Sequence, residues 1–376
     1  MTRRNEPTSP RKGLSRRTAL ALGTAGIAAG AGLAAPNVVR AQTPRTLKMA
    51  TSWPKNTPGV GVNAQRVADM ITAMSGGRLK VDLYAAGELV PPFEVFDAVS
   101  SGTADLGHAT PYYWQGKDPV VHFFTGVPFG LTAVEHAGWL YFGGAQALWE
   151  EAYAPFGVTP FYAGSSGVQA GGWFRKEIAG LDDLTGLKMR IAGLGGEVMR
   201  RLGVNVTLLP PGDIYTALQA GTIDAAEWVG PWNDIAFGLY KVAGHYYLPA
   251  FHEFGPALEV TANTEVYESL EDDLKAIVSH AAMASGLEAT ADFTYHNAES
   301  FGPLLEKEGV TVHTWPDEVV EAMAKESATV LASIAEESDL AGRVYESFMD
   351  YRAKTAAYAD KMERRALDMR ALALGL

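Results

Sequence analysis

Apolar positions recur with a period near two in some stretches and near 3.6 in others, and the two periods alternate along the chain. Residues 46–51 read as a strand that ends at Ser52-Trp53-Pro54. Val62, Val67, Met70, Ile71 and Met74 then mark an amphipathic helix that closes on Gly76-Gly77. Residues 80–84 alternate as a second strand, 93–101 are helical up to Gly102, and 104–108 form a third strand. This β–α–β–α–β order predicts a mostly parallel sheet covered by helices.

A second run of the same kind follows. Residues 168–174 and 186–191 read as strands, and the Gly193-Leu194-Gly195-Gly196 turn leads into a helix through Arg201. Residues 204–208 form a strand, a helix runs from Pro210-Pro211-Gly212-Asp213 to Gly221, and 222–228 form the next strand. Two α/β units predict two lobes. Ser101-Gly102-Thr103-Ala104-Asp105-Leu106 and Ala220-Gly221-Thr222-Ile223-Asp224-Ala225 echo one another, each a helix stop on Gly followed by Thr-x-Asp and a strand. They lead into aromatic-rich ends at 108–114 and 227–232. Open α/β sheets bind ligands at the carboxyl ends of their strands. The echo is either two such ends facing across a cleft or the repetition of common turn chemistry.

From residue 265 the pattern is helical. It predicts one or two helices over 266–308, a short strand at 310–313 and a helix over 318–337. Phe348, Tyr351, Thr355, Tyr358 and Met362 fall three and four apart. Met369 and Leu372 continue this stripe past Arg365, on a helix of about seven turns. Such a stripe packs either on its own lobes or against another chain.

Composition narrows the chemistry. The 376 residues contain no cysteine, which excludes disulfides, thiolate nucleophiles, iron–sulfur clusters and cysteine–zinc sites. The N-terminus is basic up to Arg17, has no charge from Thr18 to Val39, and ends in Val39-Arg40-Ala41. With Ser15-Arg16-Arg17-Thr18 it reads as a twin-arginine export signal over 1–41, cleaved after Ala41, and places the mature chain in the periplasm. Residues 1–41 hold seven of the 31 Lys and Arg and one of the 43 acids, so the mature chain carries a formal charge of −18. That charge argues against a nucleic-acid partner, and an anionic ligand would need a local Arg.

Arg190, at a strand end before a Gly-rich turn, has the guanidinium geometry for a carboxylate, although a solvated strand-end Arg fits equally. Glu227 follows an apolar strand, where a carboxylate needs a metal or a basic partner. The Gln169 amide oxygen suits a hard cation but can also bond backbone. Trp53, Tyr112, Tyr113, Trp114, Trp173, Phe174 and Trp232 are candidate cleft walls or plain core. His245 and His252 with Glu253 form a loose cluster; no H-E-x-x-H and no G-x-S-x-G occurs.

Ala50-Thr51-Ser52-Trp53-Pro54, Gly186-Leu187-Lys188-Met189-Arg190 and Ala220-Gly221-Thr222-Ile223-Asp224-Ala225-Ala226-Glu227-Trp228, behind a twin-arginine leader, resemble the DctP-type solute-binding subunits of TRAP (tripartite ATP-independent periplasmic) transporters. The resemblance is to the α-keto acid-binding, TakP-like branch and covers essentially the whole mature chain. It implies an α/β, two-lobed periplasmic-binding-protein-like fold with mostly parallel sheets, a long spanning helix and a helical C-terminus. The expected division is lobe I over 42–165 with part of 262–340, lobe II over 166–261 with part of 300–340, and a dimerising C-terminal helix over 341–376. It further implies capture, without catalysis, of a small 2-oxo monocarboxylate such as pyruvate for delivery to membrane permease subunits. Arg190 would pair the carboxylate, and Gln169, Glu227 and the Trp228 carbonyl would hold one sodium or calcium ion. Gln169, Trp228, Tyr112, Tyr113 and Trp53 would line the substrate. Lactate, a C4-dicarboxylate or an exported metal- or cofactor-dependent enzyme are the alternatives.

Overall fold

The computed structural model describes residues 44–376; the export signal and its cleavage site lie outside the described residues. The described chain contains β1 (Arg45–Thr51), β2 (Leu79–Tyr84), β3 (Leu106–Ala109), β4 (Val158–Ser165), β5 (Gly172–Phe174), β6 (Lys188–Arg190), β7 (Asn205–Thr207), β8 (Ala225–Ala226), β9 (His245–Tyr247), β10 (Ala257–Asn263) and β11 (Thr311–His313). They form a five-stranded sheet in the order β2-β1-β3-β10-β4 and a six-stranded sheet in the order β11-β9-β5-β8-β6-β7. The predicted parallel cores are there, β2-β1-β3 in one sheet and β8-β6-β7 in the other. Both sheets are mixed, because β10 runs antiparallel between β3 and β4, and β5 runs antiparallel between β8 and β9.

One face of the first sheet buries Leu47, Met49 and Leu106 against Val67 and Ile71 of the helix Val60–Met74 and against Val278, Ala281 and Ala282. The last three lie on the helix Asp272–Leu305, whose 34 residues span about 50 Å. This helix packs on β4, on Val60–Met74 and on the helix Pro231–Phe237, so it runs from the first sheet to the strand ends of the second. It approaches β4 closely where Gly286 meets Gly164. A Cβ on Gly286 would sit 2.8 Å from the Gly164 nitrogen, so only glycine fits.

The pattern hid β4, β9 and β10, none of which was expected from the sequence. Pro160 argues against a strand, but β4 is an edge strand, where a missing N–H is tolerated. Glu259 breaks the apolar run of β10, yet it is buried, accepting hydrogen bonds from Trp114 Nε1 (2.5 Å) and the Tyr153 hydroxyl (2.9 Å). All four strands expected in the second run are shorter than read: of 168–174 only Gly172–Phe174 is strand, of 186–191 only Lys188–Arg190, of 204–208 only Asn205–Thr207, and of 222–228 only Ala225–Ala226. The Gly193-Leu194-Gly195-Gly196 segment is no separate turn but the first turn of the helix Gly193–Arg201.

The C-terminal stripe divides. Phe348 docks on its own chain, its ring 5.1 Å from that of Trp139 and 5.5 Å from that of Phe123. The helix Asp339–Lys361 then breaks at Met362 and resumes as Glu363–Leu374. Tyr358, Met362, Met369 and Leu372 are all more than half exposed. None of the described helices is long and apolar enough to cross a membrane.

Candidate ligand and metal site

Parallel pairing of β6 with β8 sets Arg190 beside Ala226, and the Glu227 amide donates to the Arg190 carbonyl at 2.9 Å. The two side chains meet in the interior, each 1 % exposed, with Arg190 Nη1 donating to Glu227 Oε2 at 2.8 Å. The same nitrogen also donates to the Glu227 carbonyl. The guanidinium lies 5.6 Å from the Trp228 ring.

Gln169 arrives on the loop after β4, which backbone hydrogen bonds stitch into place. Gln169 N donates to Glu253 O, Ala170 N to Val229 O, Gly171 N to Tyr247 O, and Ala250 N back to Gln169 O. This stitching brings Glu253, which the sequence reading left in a loose histidine cluster, up to Gln169 and Trp228-Val229. Glu227, His252 and Glu253 are all buried, and each offers a ligand atom within 4.8 Å of the others. His252 Nε2 lies 3.7 Å from Glu227 Oε1. His245 is not part of this group; it pairs with His313 on the outer edge of the second sheet. The glycines of the adjoining helix leave room for the cluster: a Cβ on Gly195 would sit 2.6 Å from His252 Cβ, and one on Gly193 3.0 Å from the Tyr112 ring.

Several buried polar atoms here lack a hydrogen bond of ordinary geometry: Gln169 Oε1, Glu227 Oε1, Glu253 Oε2, Arg190 Nη2, the Tyr113 hydroxyl and both ring nitrogens of His252. Tyr113 and Arg190 are nonetheless close enough to influence each other's ionisation. Burial pushes the Glu253 carboxyl well above its usual range, and the Glu227 carboxylate adds to this; Arg190 and Tyr112 pull it partly back. Burial works to lower the Arg190 pKa, but Glu227, Tyr113, Tyr112 and Glu253 outweigh it and the net shift is upward. Two carboxylates therefore face one guanidinium. With both carboxyls ionised, an anionic ligand added here leaves a deficit of two positive charges. One divalent ion closes it, and so does a monovalent ion with one carboxyl protonated. Three unpaired side-chain oxygens on Gln169, Glu227 and Glu253 are the donor set of a hard cation, so these residues fit such an ion.

Trp53, Tyr112, Tyr113, Gln169 and Trp228 line one cavity together with Val60 and Leu258, whereas Arg190 and Glu227 are not among its lining. Its free volume is about 20 Å³, room for roughly one water molecule. A larger open groove of about 590 Å³ shares only Trp53 with it and lies against Arg66, Asp69 and Met70, away from the charged cluster. The other candidate wall residues are elsewhere. Trp114 is bonded to Glu259, Trp173 Nε1 donates to Asp234 at 2.9 Å, Phe174 packs on Tyr247 and Trp315, and Trp232 stacks on His296.

The family model for DctP, the bacterial extracellular solute-binding proteins of family 7, matches residues 49–338. The chain belongs to this family. As a DctP-family protein it is similar to a monocarboxylate 2-oxoacid-binding periplasmic protein of Nostoc sp. PCC 7120, with 43 % identity over 311 residues covering 83 % of this chain and 85 % of that one. A TRAP periplasmic solute-binding protein of Pseudoalteromonas atlantica, solved with bound sodium and pyruvate, is 36 % identical; the match covers 87 % of this chain and 99 % of that one, with a TM-score of 0.84. Another from Bordetella bronchiseptica, solved as a mixed-occupancy dimer with copurified calcium and picolinate in an active site, is 34 % identical, covers 88 % and 98 %, and gives 0.85. The DctP fold thus accounts for the two mixed sheets and the long helix described above.

Proposed function

We propose that this DctP-family chain is the periplasmic receptor of a TRAP transporter, which captures a small 2-oxo monocarboxylate of the pyruvate class with one sodium or calcium ion and hands it to the membrane permease without chemical change. The observation that carries the reading is the buried set of Arg190 Nη2, Gln169 Oε1, Glu227 Oε1 and Glu253 Oε2, one guanidinium donor and three oxygens with unused hydrogen-bonding capacity beside one aromatic cavity. Arg190 takes the carboxylate of the ligand. Glu227, Gln169 and Glu253 hold the cation, joined by the Trp228 main-chain carbonyl. A 2-oxo acid offers a carboxylate and a carbonyl oxygen on adjacent carbons, so it completes the shell of an ion that prefers six or more oxygens. Tyr112, Tyr113 and Trp53 enclose the short apolar tail. The sodium-and-pyruvate and calcium-and-picolinate relatives support this chemistry.

A cavity of about 20 Å³ is too small for a three-carbon acid, so entry requires the halves of the molecule built on the two sheets to separate. The exposed Tyr358, Met362, Met369 and Leu372 support a homodimer formed through the last helices. The twin-arginine leader supports export in the folded state. The lining residues Trp53, Val60, Tyr112, Tyr113 and Leu258 are uncharged, which favours a monocarboxylate over a C4-dicarboxylate, since a second carboxylate would need a second cation.

A thermal-shift screen tests the reading. Pyruvate and longer 2-oxo acids are expected to raise the melting temperature in the presence of calcium or sodium, and lactate and succinate to raise it less. A larger shift with succinate than with any 2-oxo acid would overturn it.

A further inference from the structure

A second cluster of metal-ligating side chains lies on the outer edge of the second sheet, apart from the cleft. β9 and β11 pair in parallel, with His245 opposite Thr311 and His313 opposite Tyr247. His245 Nδ1 and His313 Nε2 come within 2.9 Å of each other. The other ring nitrogen of His313, Nδ1, faces Glu177 Oε1 at 3.8 Å. Tyr247 stacks on the His313 ring with centroids 4.9 Å apart and planes at 15°. Its hydroxyl is held in turn by the main chain of the residue after Glu177: Ile178 N donates to it at 2.6 Å, and it donates to Ile178 O at 3.1 Å. The loop bearing Glu177 and the His313 ring are thus fixed to one another.

We propose that His245 and His313 bind a borderline divalent transition-metal ion of the copper(II) or nickel(II) kind, with Glu177 orienting His313 from its far side. Metal–imidazole bonds of about 2.0–2.1 Å meeting at a right angle span about 2.9 Å between the nitrogens. That is the observed separation, spanned here by a hydrogen bond between the rings, so an ion with two cis positions in a square or octahedral shell would take the place of the bridging proton, with the His245 ring turning onto it. A tetrahedral ion such as zinc needs the nitrogens spread to about 3.3 Å. A proton on His313 Nδ1, the nitrogen 3.8 Å from Glu177 Oε1, would leave the Nε2 lone pair for the ion, and closing that gap to a hydrogen bond would give the carboxylate–histidine–metal arrangement that fixes tautomer and ring orientation. Glu177 is 61 % exposed and His313 15 %, and His245 is likewise partly exposed at the sheet edge. It differs in kind from the cleft, where Gln169, Glu227 and Glu253 offer oxygens and only His252 a nitrogen.

The test uses the chain stripped with chelator and held in excess calcium, titrated with copper(II), nickel(II) and zinc chlorides by calorimetry, with the copper form read by electron paramagnetic resonance. One equivalent of copper is expected, bound more tightly than nickel or zinc and coupled to two equatorial nitrogens. Glu177→Gln is expected to weaken binding about tenfold. His245→Gln and His313→Gln should weaken it further and each remove one nitrogen coupling, with unchanged circular dichroism as the control for folding; if one of these variants does not fold, the other decides. Equal copper affinity in the wild type and the folded histidine variants would overturn the site. Nitrogen couplings that disappear only in His252→Gln would do the same.

Discussion

The segments around Asp105 and Asp224 are built alike and end in opposite chemistry. Each follows a helix closed by a left-handed glycine, Gly102 at φ +74° and Gly221 at φ +71°. Asp105 binds the main chain of Lys48 twice, N to O at 2.9 Å and Oδ2 to N at 2.7 Å. Asp224 does the same to Lys188, at 2.7 and 3.1 Å. Register then sets Leu106 beside Met49 and Ala225 beside Met189. Three residues past each Asp come His108 and Glu227; two past each Lys come Ala50 and Arg190. The first sheet thus ends in a neutral group, because burial lowers the His108 pKa to about 3. His108 accepts from the indole of Trp53 at 2.9 Å and so holds an aromatic wall of the cavity. The second sheet ends in a buried ion pair. A shared strand-and-turn frame positions the residues, and the side chains it carries end one sheet in a neutral histidine and the other in a buried ion pair.

The largest way to break this division is Arg190→Ala. Losing the partner of a desolvated carboxylate costs roughly 2–5 kcal/mol, about 30- to several-thousand-fold in affinity, read by calorimetry with pyruvate. Because Glu227 is buried with it, the substitution also destabilises the fold by about 3–5 kcal/mol, and Arg190→Ala/Glu227→Gln should recover most of that stability without recovering binding. Equal melting temperatures for the single and double variants would show that the pair is not coupled.

The frame was largely legible in the sequence, and so was the place of the candidate site residues on it. Thr-x-Asp after a glycine stop is a local signal that set Glu227 at a strand end; Arg190 read equally well as a solvated strand-end residue, and its expected ligand role came from the family resemblance. Glu253 was not legible as a partner, because its approach to Gln169 depends on loop-to-loop hydrogen bonds between residues more than 80 apart. β4 and β10 were hidden by one proline and one buried carboxyl, features that read as interruptions until the edge position and the Trp114 and Tyr153 donors are known. The dispersed aromatics could not be divided between cleft and core, since both environments bury them.

Buried carboxyls outside the cleft sharpen the contrast through pH. Burial raises Glu259 from 4.5 to about 8 and Asp234 from 3.8 to about 7. Each is a raised folded-state value, so the folded chain binds more protons than the unfolded one in this window. The stability they contribute is full below pH 4 and is lost as pH rises towards 8. His108, lowered from 6.5 to about 3, acts oppositely and loses its contribution as pH falls from 6.5 towards 3. Glu259→Gln is expected to flatten the decline of melting temperature between pH 5 and 8; an unchanged slope would assign the decline to other groups.

A smaller effect is expected from His108→Asn, which removes the acceptor of Trp53 Nε1 and the Asn63 contact at Nε2 while leaving every charged group in place. Loss of the Trp53 hydrogen bond, about 1 kcal/mol, predicts about a fivefold weaker affinity for pyruvate, with metal dependence retained.

In the proposed function the ligand and the cation bind together at the strand ends of the second sheet. Calorimetric titration of pyruvate into protein stripped of metal and dialysed into sodium-free buffer, compared with the calcium-loaded protein, tests this most directly. Linkage requires that pyruvate strengthen metal binding by the same factor as metal strengthens pyruvate binding, and a coupling of about 1–3 kcal/mol predicts a 5- to 150-fold loss on stripping. The loss should vanish in Glu227→Ala, whose affinity is already low. Unchanged pyruvate affinity in protein shown by mass spectrometry to be metal-free would leave Arg190 as the sole anchor and contradict the account.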